Sequence, residues 1–239
     1  NADEIVAQVQ KMLSEGATFI DIGAYSSKPN AEFVSVEEEI ARIVSIVELL
    51  VQQFPNILIS IDTFRSEVAE SCILKGAALI NDISAGKLDD LMLGVVAKYK
   101  VPYIMMHMRG TPQTMQTLTK YEDLIKEMLL YFSERIAAAR SLGIHDLILD
   151  PGFGFAKTLE QNYEVLQKME LLQQLELPIL AGVSRKSMIY KVLNTNAYES
   201  LNGTTALNTI SLVKGASILR VHDVKEAVEC VTLFNAMNS

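Results

Sequence analysis

Short apolar runs and longer amphipathic stretches alternate along the whole chain. The short runs are rich in Ile, Leu, Val and Met and predict strands at 18–24, 57–63, 78–84, 102–108, 147–150, 178–184 and 217–223. Between them, apolar positions recur every three or four residues and predict helices at 3–15, 36–53, 65–75, 88–99, 121–142, 159–174, 187–193, 203–214 and 224–237. Strand followed by helix, repeated without a linker, indicates one α/β domain over residues 1–239 with a parallel sheet.

The number of strands favours a particular α/β architecture. A closed (β/α)8 barrel needs eight strands, whereas the pattern yields seven and opens on a helix with no strand before it. We therefore expect a (β/α)8 TIM barrel whose first strand and loop precede residue 1. A doubly wound open sheet is the alternative. The barrel is preferred because polar side chains lie at the C-terminal end of every predicted strand. In an open sheet, the binding site lies at the one point where the strand order reverses.

The segment 147–157, LILDPGFGFAK, is the most informative of these strand ends. Its apolar run stops at Asp150, and Pro151 cannot donate a hydrogen bond to a sheet ladder. Gly152 and Gly154 then allow a tight turn. A carboxylate followed by a glycine-rich turn is typical of a ligand site in a parallel α/β protein, although Asp150 could simply cap the turn.

Other strands also end in polar side chains. These are Asp21, Asp62, Asn81, His107, Asp150, Ser184, Arg185, Lys186, Arg220 and His222. Converging carboxylates and an amide suit a flat heterocycle that carries several N–H donors, such as an amino-pyrimidinone, and a lysine could hold its ring carbonyl. Each side chain alone could be a cap or a structural ion pair. Their joint position at strand ends favours a binding site.

Anion-binding groups lie near the end of the chain. Arg220 and His222 are two residues apart on one predicted strand, so they face the same side and could hold a phosphate or pyrophosphate. Ser187 begins a predicted helix, whose free N–H groups could bind a carboxylate. No Ser-His-Asp or Cys-His arrangement is evident, and the spacing of the three histidines is not that of a zinc site.

Composition narrows the possible partners. The formal net charge of −8 argues against nucleic acid as a partner, and no apolar run is long enough for a membrane span. The first residues lack the features of a signal peptide, and the two cysteines lie in helical patterns. We therefore expect a cytoplasmic protein that binds small molecules.

Seven motifs, in this order, carry a family resemblance: IDIGAYSSKPNA, ISIDTFR, LINDIS, MHMRGTP, DPGFGFAK, GVSRKS and RVHDV. Together they resemble dihydropteroate synthase, a pterin-binding family, over essentially the whole chain. The resemblance implies condensation of 7,8-dihydropterin-6-ylmethyl diphosphate with 4-aminobenzoate, giving 7,8-dihydropteroate and pyrophosphate. Two alternatives remain open: a methyltetrahydrofolate-dependent methyltransferase domain, which would need a corrinoid partner, and a non-catalytic pterin-binding module.

The resemblance also implies roles for individual residues. The pterin would be held by Asp62, Asn81, Met106, Asp150, Phe155, Gly182 and Lys186, with Asp62, Asn81, Asp150 and Lys186 expected to matter for catalysis. The diphosphate would be held by Arg220 and His222, and 4-aminobenzoate by Ser27, Lys28, Phe155 and Ser187. Mg²⁺ is expected through the substrate diphosphate and an upstream first loop of the form NxTPDSF. The family further implies a homodimer through the C-terminal helices and inhibition by sulfonamides.

One loop departs from the commoner family motif, DIGGESTRPG. Here Ser27 stands for Thr and keeps a hydroxyl, whereas Lys28 stands for Arg and loses the bidentate fork. We expect these changes to alter affinity for 4-aminobenzoate or sulfonamides without changing the reaction.

Overall fold

The computed structural model describes residues 2–25 and 33–238, and seven strands lie in those ranges. They are β1 (Ile20–Ile22), β2 (Ile59–Asp62), β3 (Leu79–Asp82), β4 (Tyr103–Met106), β5 (Leu147–Asp150), β6 (Leu180–Ala181) and β7 (Ile218–Leu219). All seven predicted strands are therefore confirmed, although most are shorter than predicted. The predicted ends extended into residues that have left the ladder and begin the polar loops.

The strands pair in chain order, and every pairing is parallel. One ladder joins β1 to β5 in sequence, and β6 pairs with β7. The two parts are linked where the Leu149 N–H donates to the Pro178 carbonyl at 2.9 Å. This sequential order is that of a (β/α)8 barrel and excludes the doubly wound alternative, in which the strand order reverses.

Helices follow the strands as predicted. They are α1 (Ala2–Ser14), α2 (Val36–Gln53), α3 (Ser66–Ile73), α4 (Met92–Tyr99), α5 (Leu124–Ser141), α6 (Leu159–Lys168), α7 (Ser187–Tyr190), α8 (Leu201–Val213) and α9 (Val224–Asn238). Helix α2 begins where the Ser35 hydroxyl accepts the Glu38 N–H at 3.1 Å. Among the described helices, none is long and apolar enough to cross a membrane.

Five predicted helices are longer than the observed ones, and 159–174 and 187–193 differ most at their C-terminal ends. The stretch 159–174 is helical only to Lys168 and tightens into a 3₁₀ segment over Met169–Leu175. The stretch 187–193 keeps one α-helical turn, α7. Hydrogen-bonded turns follow it, and Asn194 lies at their end with a left-handed backbone conformation.

Alternation along the strands creates the polar rim. A small apolar cluster inside the barrel contains Leu79, Ile104 and Leu180, packed against Ile148 and Ile218. Because side chains two positions apart on a strand point the same way, the residues two positions further on also face the barrel axis. Those residues are Asn81, Met106, Asp150, Gly182 and Arg220. The fold therefore gathers them at the C-terminal ends of the strands, where barrel enzymes bind their substrates.

Candidate functional site

A guanidinium and two carboxylates form the first part of the rim. Arg220 Nε lies 2.5 Å from Asp21 Oδ2, and Arg220 Nη2 lies 2.8 Å from Asp62 Oδ2. The Asn81 amide nitrogen lies 3.3 and 3.4 Å from the two Asp21 oxygens, and Asn81 is the ladder partner of Asp62. Arg220 thus joins the end of β7 to the ends of β1 and β2.

The charges in this network perturb one another. Burial and then repulsion by Asp21 raise the pKa of Asp62 above its usual range, while Arg220 opposes the shift. For Arg220, burial lowers the pKa, but attraction by Asp21 and Asp62 outweighs this effect and raises it. The Arg220 side chain is 42% exposed, so it is accessible from solvent.

Asp150 and Lys186 form the second part of the rim. Asp150 is the ladder partner of Met106, and its Oδ1 accepts the Gly152 N–H at 2.7 Å. Burial raises the pKa of Asp150, against the attraction of Lys186. Burial also lowers the pKa of Lys186 to about 8, although Asp150 favours its charged form.

The turn after β5 holds Lys186 in place. Lys186 Nζ donates to the Phe153 carbonyl at 2.5 Å and lies 5.2 Å from the centre of the Phe155 ring. Gly182 leaves space beside this amine, because a Cβ there would lie 3.8 Å from both Lys186 Nζ and Arg220 Cβ. The rim therefore combines a flat aromatic wall, a cation and a glycine-lined gap.

The turn itself requires glycine. Gly152 has φ of +70°, and a Cβ at that position would lie 2.2 Å from the His107 carbonyl oxygen. Gly154 also has positive φ, and its N–H donates to Asn162 Oδ1 at 2.6 Å. No other residue type would satisfy both the backbone angle and the close approach at Gly152.

Hydrogen bonds and an ion pair join the segment after β6 to the segment after β7. The Ser184 hydroxyl lies 2.9 Å from His222 Nδ1 and accepts the His222 N–H at 3.2 Å. Arg185, whose φ is 54°, forms a bidentate ion pair with Asp223 at 2.8 and 2.6 Å. These contacts fix the backbone just before Lys186 and place His222 next to the rim.

Not every predicted site residue is placed with the others. Ser187 is the first residue of α7, which has only one turn and so offers little of the helix-end field expected for it. Ser27 and Lys28 lie outside the described residues. His107 is buried beneath the rim and its Nδ1 contacts Lys157 at 3.0 Å.

A separate cavity of about 330 Å³ lies beside α5. It is lined by Ser84, Lys87, His107, Met108, Arg109, Gly110, Glu127, Leu130, Tyr131 and Glu134, none of which is a predicted substrate ligand. Residues 2–25 and 33–238 contain no group of three or more His, Cys, Asp or Glu side chains arranged to hold a metal ion.

Sequence reasoning gave no individual role to two residues of this region. The sequence predicts that Asp21 is a strand-end carboxylate, but no pattern in it indicates that Asp21 pairs with Arg220, 199 positions away. Lys157 follows a glycine turn, where a lysine is ordinarily exposed, yet it is buried and donates back into the turn.

Comparison with known proteins gives one consistent result. A family model described as pterin binding enzyme matches residues 1–222. The dihydropteroate synthase of Synechocystis is 44% identical over 235 residues, which are 97% of this chain and 81% of that protein. The Escherichia coli dihydropteroate synthase is 42% identical over 235 residues, which are 98% of this chain and 83% of that protein.

Solved structures agree. A Yersinia pestis dihydropteroate synthase with a sulfonamide drug complex superposes with a TM-score of 0.96 at 41% identity, covering 100% of this chain and 86% of that one. A Xanthomonas albilineans dihydropteroate synthase with 4-aminobenzoic acid superposes with a TM-score of 0.92 at 35% identity, covering 100% of this chain and 85% of that one.

Proposed function

This chain belongs to the dihydropteroate synthases of the pterin-binding enzyme family, and from that premise we propose how its rim residues divide the reaction. The enzyme condenses 7,8-dihydropterin-6-ylmethyl diphosphate with 4-aminobenzoate, giving 7,8-dihydropteroate and pyrophosphate for folate biosynthesis. The observation that carries the proposed division is that the carboxylates, Lys186 and Arg220 all lie on one barrel rim.

The proposed pterin subsite lies between β2 and β6. Asp150 accepts the two parallel N–H groups of the amino-pyrimidinone edge, and Asn81 both donates to and accepts from the ring. Lys186 donates to the ring carbonyl, and its proximity to Asp150 supports this pairing. Met106, Phe155 and Gly182 supply apolar contact and space for the flat ring system.

The proposed diphosphate subsite is formed by Arg220 and His222. Arg220 already holds two carboxylates, so an incoming diphosphate competes with Asp21 and Asp62 for the guanidinium. His222 is oriented by its two contacts with Ser184. Substrate binding would thereby shift Arg220 toward the leaving group and leave Asp62 facing the pterin.

The chemistry follows from this charge arrangement. Loss of diphosphate breaks the bond between the methylene carbon and oxygen and leaves a cation that is delocalised over the dihydropterin. Asp62 stabilises the positive charge, and Arg220 with His222 stabilises the departing anion. The neutral arylamine then forms the new carbon–nitrogen bond and loses a proton, so the protein needs no strong nucleophile.

The second substrate is proposed to bind across the Phe155 ring. Ser187 and the segment with Ser27 and Lys28 would hold its carboxylate. Support for Phe155 comes from its place over Lys186, where the amine of 4-aminobenzoate would meet the pterin methylene. The roles of Ser27, Lys28 and Ser187 rest on the family resemblance.

Mg²⁺ is the proposed cofactor. The oxygen donors near Arg220 suit a hard cation, and Asp21, whose side chain is 18% exposed, is the rim carboxylate beside the proposed diphosphate subsite. Mg²⁺ usually keeps several waters and binds through substrate phosphates with one or two carboxylates. When bound, it would supply charge neutralisation of the leaving diphosphate.

The wider organisation is also a proposal. We propose that residues 1–239 form one barrel domain that acts in the cytoplasm. We prefer the synthase to the two alternatives, a methyltransferase domain and a non-catalytic binding module. A homodimer through α8 and α9 is supported by exposed apolar side chains on those helices, namely Ile210, Val213, Val228, Leu233 and Met237. Light scattering in solution tests the dimer.

Direct binding tests the assignment of the pterin subsite. Lys186→Ala should weaken binding of 6-hydroxymethyl-7,8-dihydropterin by roughly tenfold or more, because a charge-assisted hydrogen bond is lost. Lys191→Ala changes an exposed lysine just beyond α7 and is the matched control. Equal pterin affinity in both variants, with both folded, would remove Lys186 from the site.

A further inference from the structure

A second buried lysine lies beneath the rim, and the reaction described above does not use it. Lys157 Nζ lies 3.0 Å from His107 Nδ1 and donates to the carbonyls of Gly152 and Phe155, each at 3.1 Å. The residue is only 7% exposed. The described residues contain no carboxylate within ion-pair distance of its amine.

The three partners match the donor capacity of an ammonium group. An ammonium carries three N–H bonds and no acceptor, so all three are used when His107 Nδ1 accepts. His107 is then neutral, with its proton on Nε2. Burial, followed by repulsion from Lys157 and Arg109, lowers the pKa of His107 well below its usual value, which agrees with a neutral ring.

The turn after β5, to which Lys157 donates, is held by side chains from other elements. Gly152 and Gly154 adopt positive φ without steric cost, but Ala156 also has positive φ, at 48°, which is unfavourable for a residue that carries a Cβ. Besides Lys157, two other side chains bind the backbone of the turn. The Asn162 carboxamide oxygen accepts the Gly154 N–H, and the Tyr121 hydroxyl donates to the Ala156 carbonyl. Lys157 joins the Gly152 and Phe155 carbonyls to the His107 ring in the loop after β4, where the His107 N–H also donates to the Asp150 carbonyl at 2.9 Å.

The other side of the same turn faces the substrate site. Between the two carbonyls that Lys157 holds, the Phe153 carbonyl accepts the Lys186 ammonium at 2.5 Å. The Phe155 ring lies beside the same ammonium. A shift of the turn would therefore move both the acceptor that orients Lys186 and the aromatic wall.

We propose that Lys157 is a positioning residue for the pterin subsite, acting through the Phe153 carbonyl on Lys186. This inference rests on the role proposed above for Lys186. Lys157 is buried for this purpose although burial disfavours its charge, lowering its pKa to about 7 against the attraction of Asp150. A lysine serving only to fill the core would be replaced by methionine at little cost.

A double-mutant cycle tests the proposal on the folded enzyme. Lys157→Met keeps the aliphatic stem and removes all three donors. It should weaken binding of 6-hydroxymethyl-7,8-dihydropterin by roughly tenfold in the wild-type background, and by less than about twofold when Lys186 is already alanine. Lys168→Met, an exposed lysine on α6, is the matched control and should change neither affinity.

The outcomes separate the two claims. Additive losses in the cycle would show that Lys157 does not act through Lys186 and would overturn this inference alone. No loss from Lys186→Ala itself would overturn the proposed pterin subsite and the inference with it. If Lys157→Met does not fold, Lys157→Arg serves in the same cycle, because its donors need a different geometry and should displace the turn while keeping the charge.

Discussion

Arg220 joins two carboxylates with one guanidinium, its Nε 2.5 Å from Asp21 and its Nη2 2.8 Å from Asp62. The same side chain is the proposed holder of the leaving diphosphate, and Asp62 is the proposed stabiliser of the pterin cation. One residue therefore links the charge on the leaving group to the charge around the pterin. On this proposal, binding of the diphosphate to Arg220 would release Asp62 to face the ring.

Replacing Arg220 should separate these two effects. We expect Arg220→Gln to weaken binding of the pterin diphosphate by roughly tenfold to a hundredfold, because a charge-assisted contact is lost. Binding of 6-hydroxymethyl-7,8-dihydropterin should be unchanged or tighter, since Asp62 no longer pairs with the guanidinium. Calorimetry with the two ligands measures the ratio. Arg140→Gln, at an exposed position on α5, is the control, and equal weakening of both ligands would contradict the linkage.

The pH dependence of turnover should reveal Lys186. Burial lowers its pKa to about 8, so the amine is protonated below that pH and loses its charge above it. We expect kcat/KM for the pterin substrate to fall as the pH rises above about 8. Lys186→Arg keeps its charge throughout this range and should lose that fall, whatever its absolute rate. The same alkaline decline in the variant would assign the titration to another group.

Asp150 should contribute to pterin binding through its charge. Asp150→Asn keeps the shape but replaces an acceptor with a donor opposite the amino-pyrimidinone N–H groups. The expected loss in pterin affinity is about 1.5–3 kcal/mol, measured by calorimetry. Asp146→Asn, an exposed carboxylate just before β5, should have no effect. Unchanged affinity in Asp150→Asn would place the ring edge elsewhere.

The buried ion pair between Glu39 and Arg65 should matter for stability. Arg65 Nη1 lies 2.8 Å from Glu39 Oε2, and the Glu39 side chain is 1% exposed. Arg65→Met leaves a buried carboxylate without its cation and should lower the free energy of unfolding by about 3 kcal/mol in urea titrations. Arg42→Met breaks the exposed pair with Glu38 and should cost less than about 1 kcal/mol. Similar costs for the two variants would contradict the burial argument.

The sequence predicted the rim because its information is local. An apolar run that ends in a polar residue identifies both a strand and the side chain at its end, which is how Asp62, Asn81 and Asp150 were found. Gly152 and Gly154 likewise identified the turn after β5, whose positive φ values require them. Helix ends were predicted less well: the apolar pattern at 187–193 continues beyond Tyr190, where α7 ends.

Contacts made across the barrel could not be read from the sequence. Arg220 reaches Asp21 and Asp62 because the curved barrel brings the C-terminal end of β7 near the ends of β1 and β2, although no ladder pairs β7 with β1 among the described strands. The burial of Lys157 depends on His107 presenting a ring nitrogen from the loop after β4. In both cases the partner lies on a distant element, and no periodicity records such a pairing.

Pyrophosphate release is the most direct test of the central claim. The full-length gene product would be mixed with 7,8-dihydropterin-6-ylmethyl diphosphate, Mg²⁺ and 4-aminobenzoate, with Lys186→Ala and Lys191→Ala in parallel. We predict pyrophosphate release that depends on 4-aminobenzoate, equals the 7,8-dihydropteroate formed, and is strongly reduced only in Lys186→Ala. Tight binding of the pterin diphosphate without pyrophosphate release would contradict the account and leave a non-catalytic binding module.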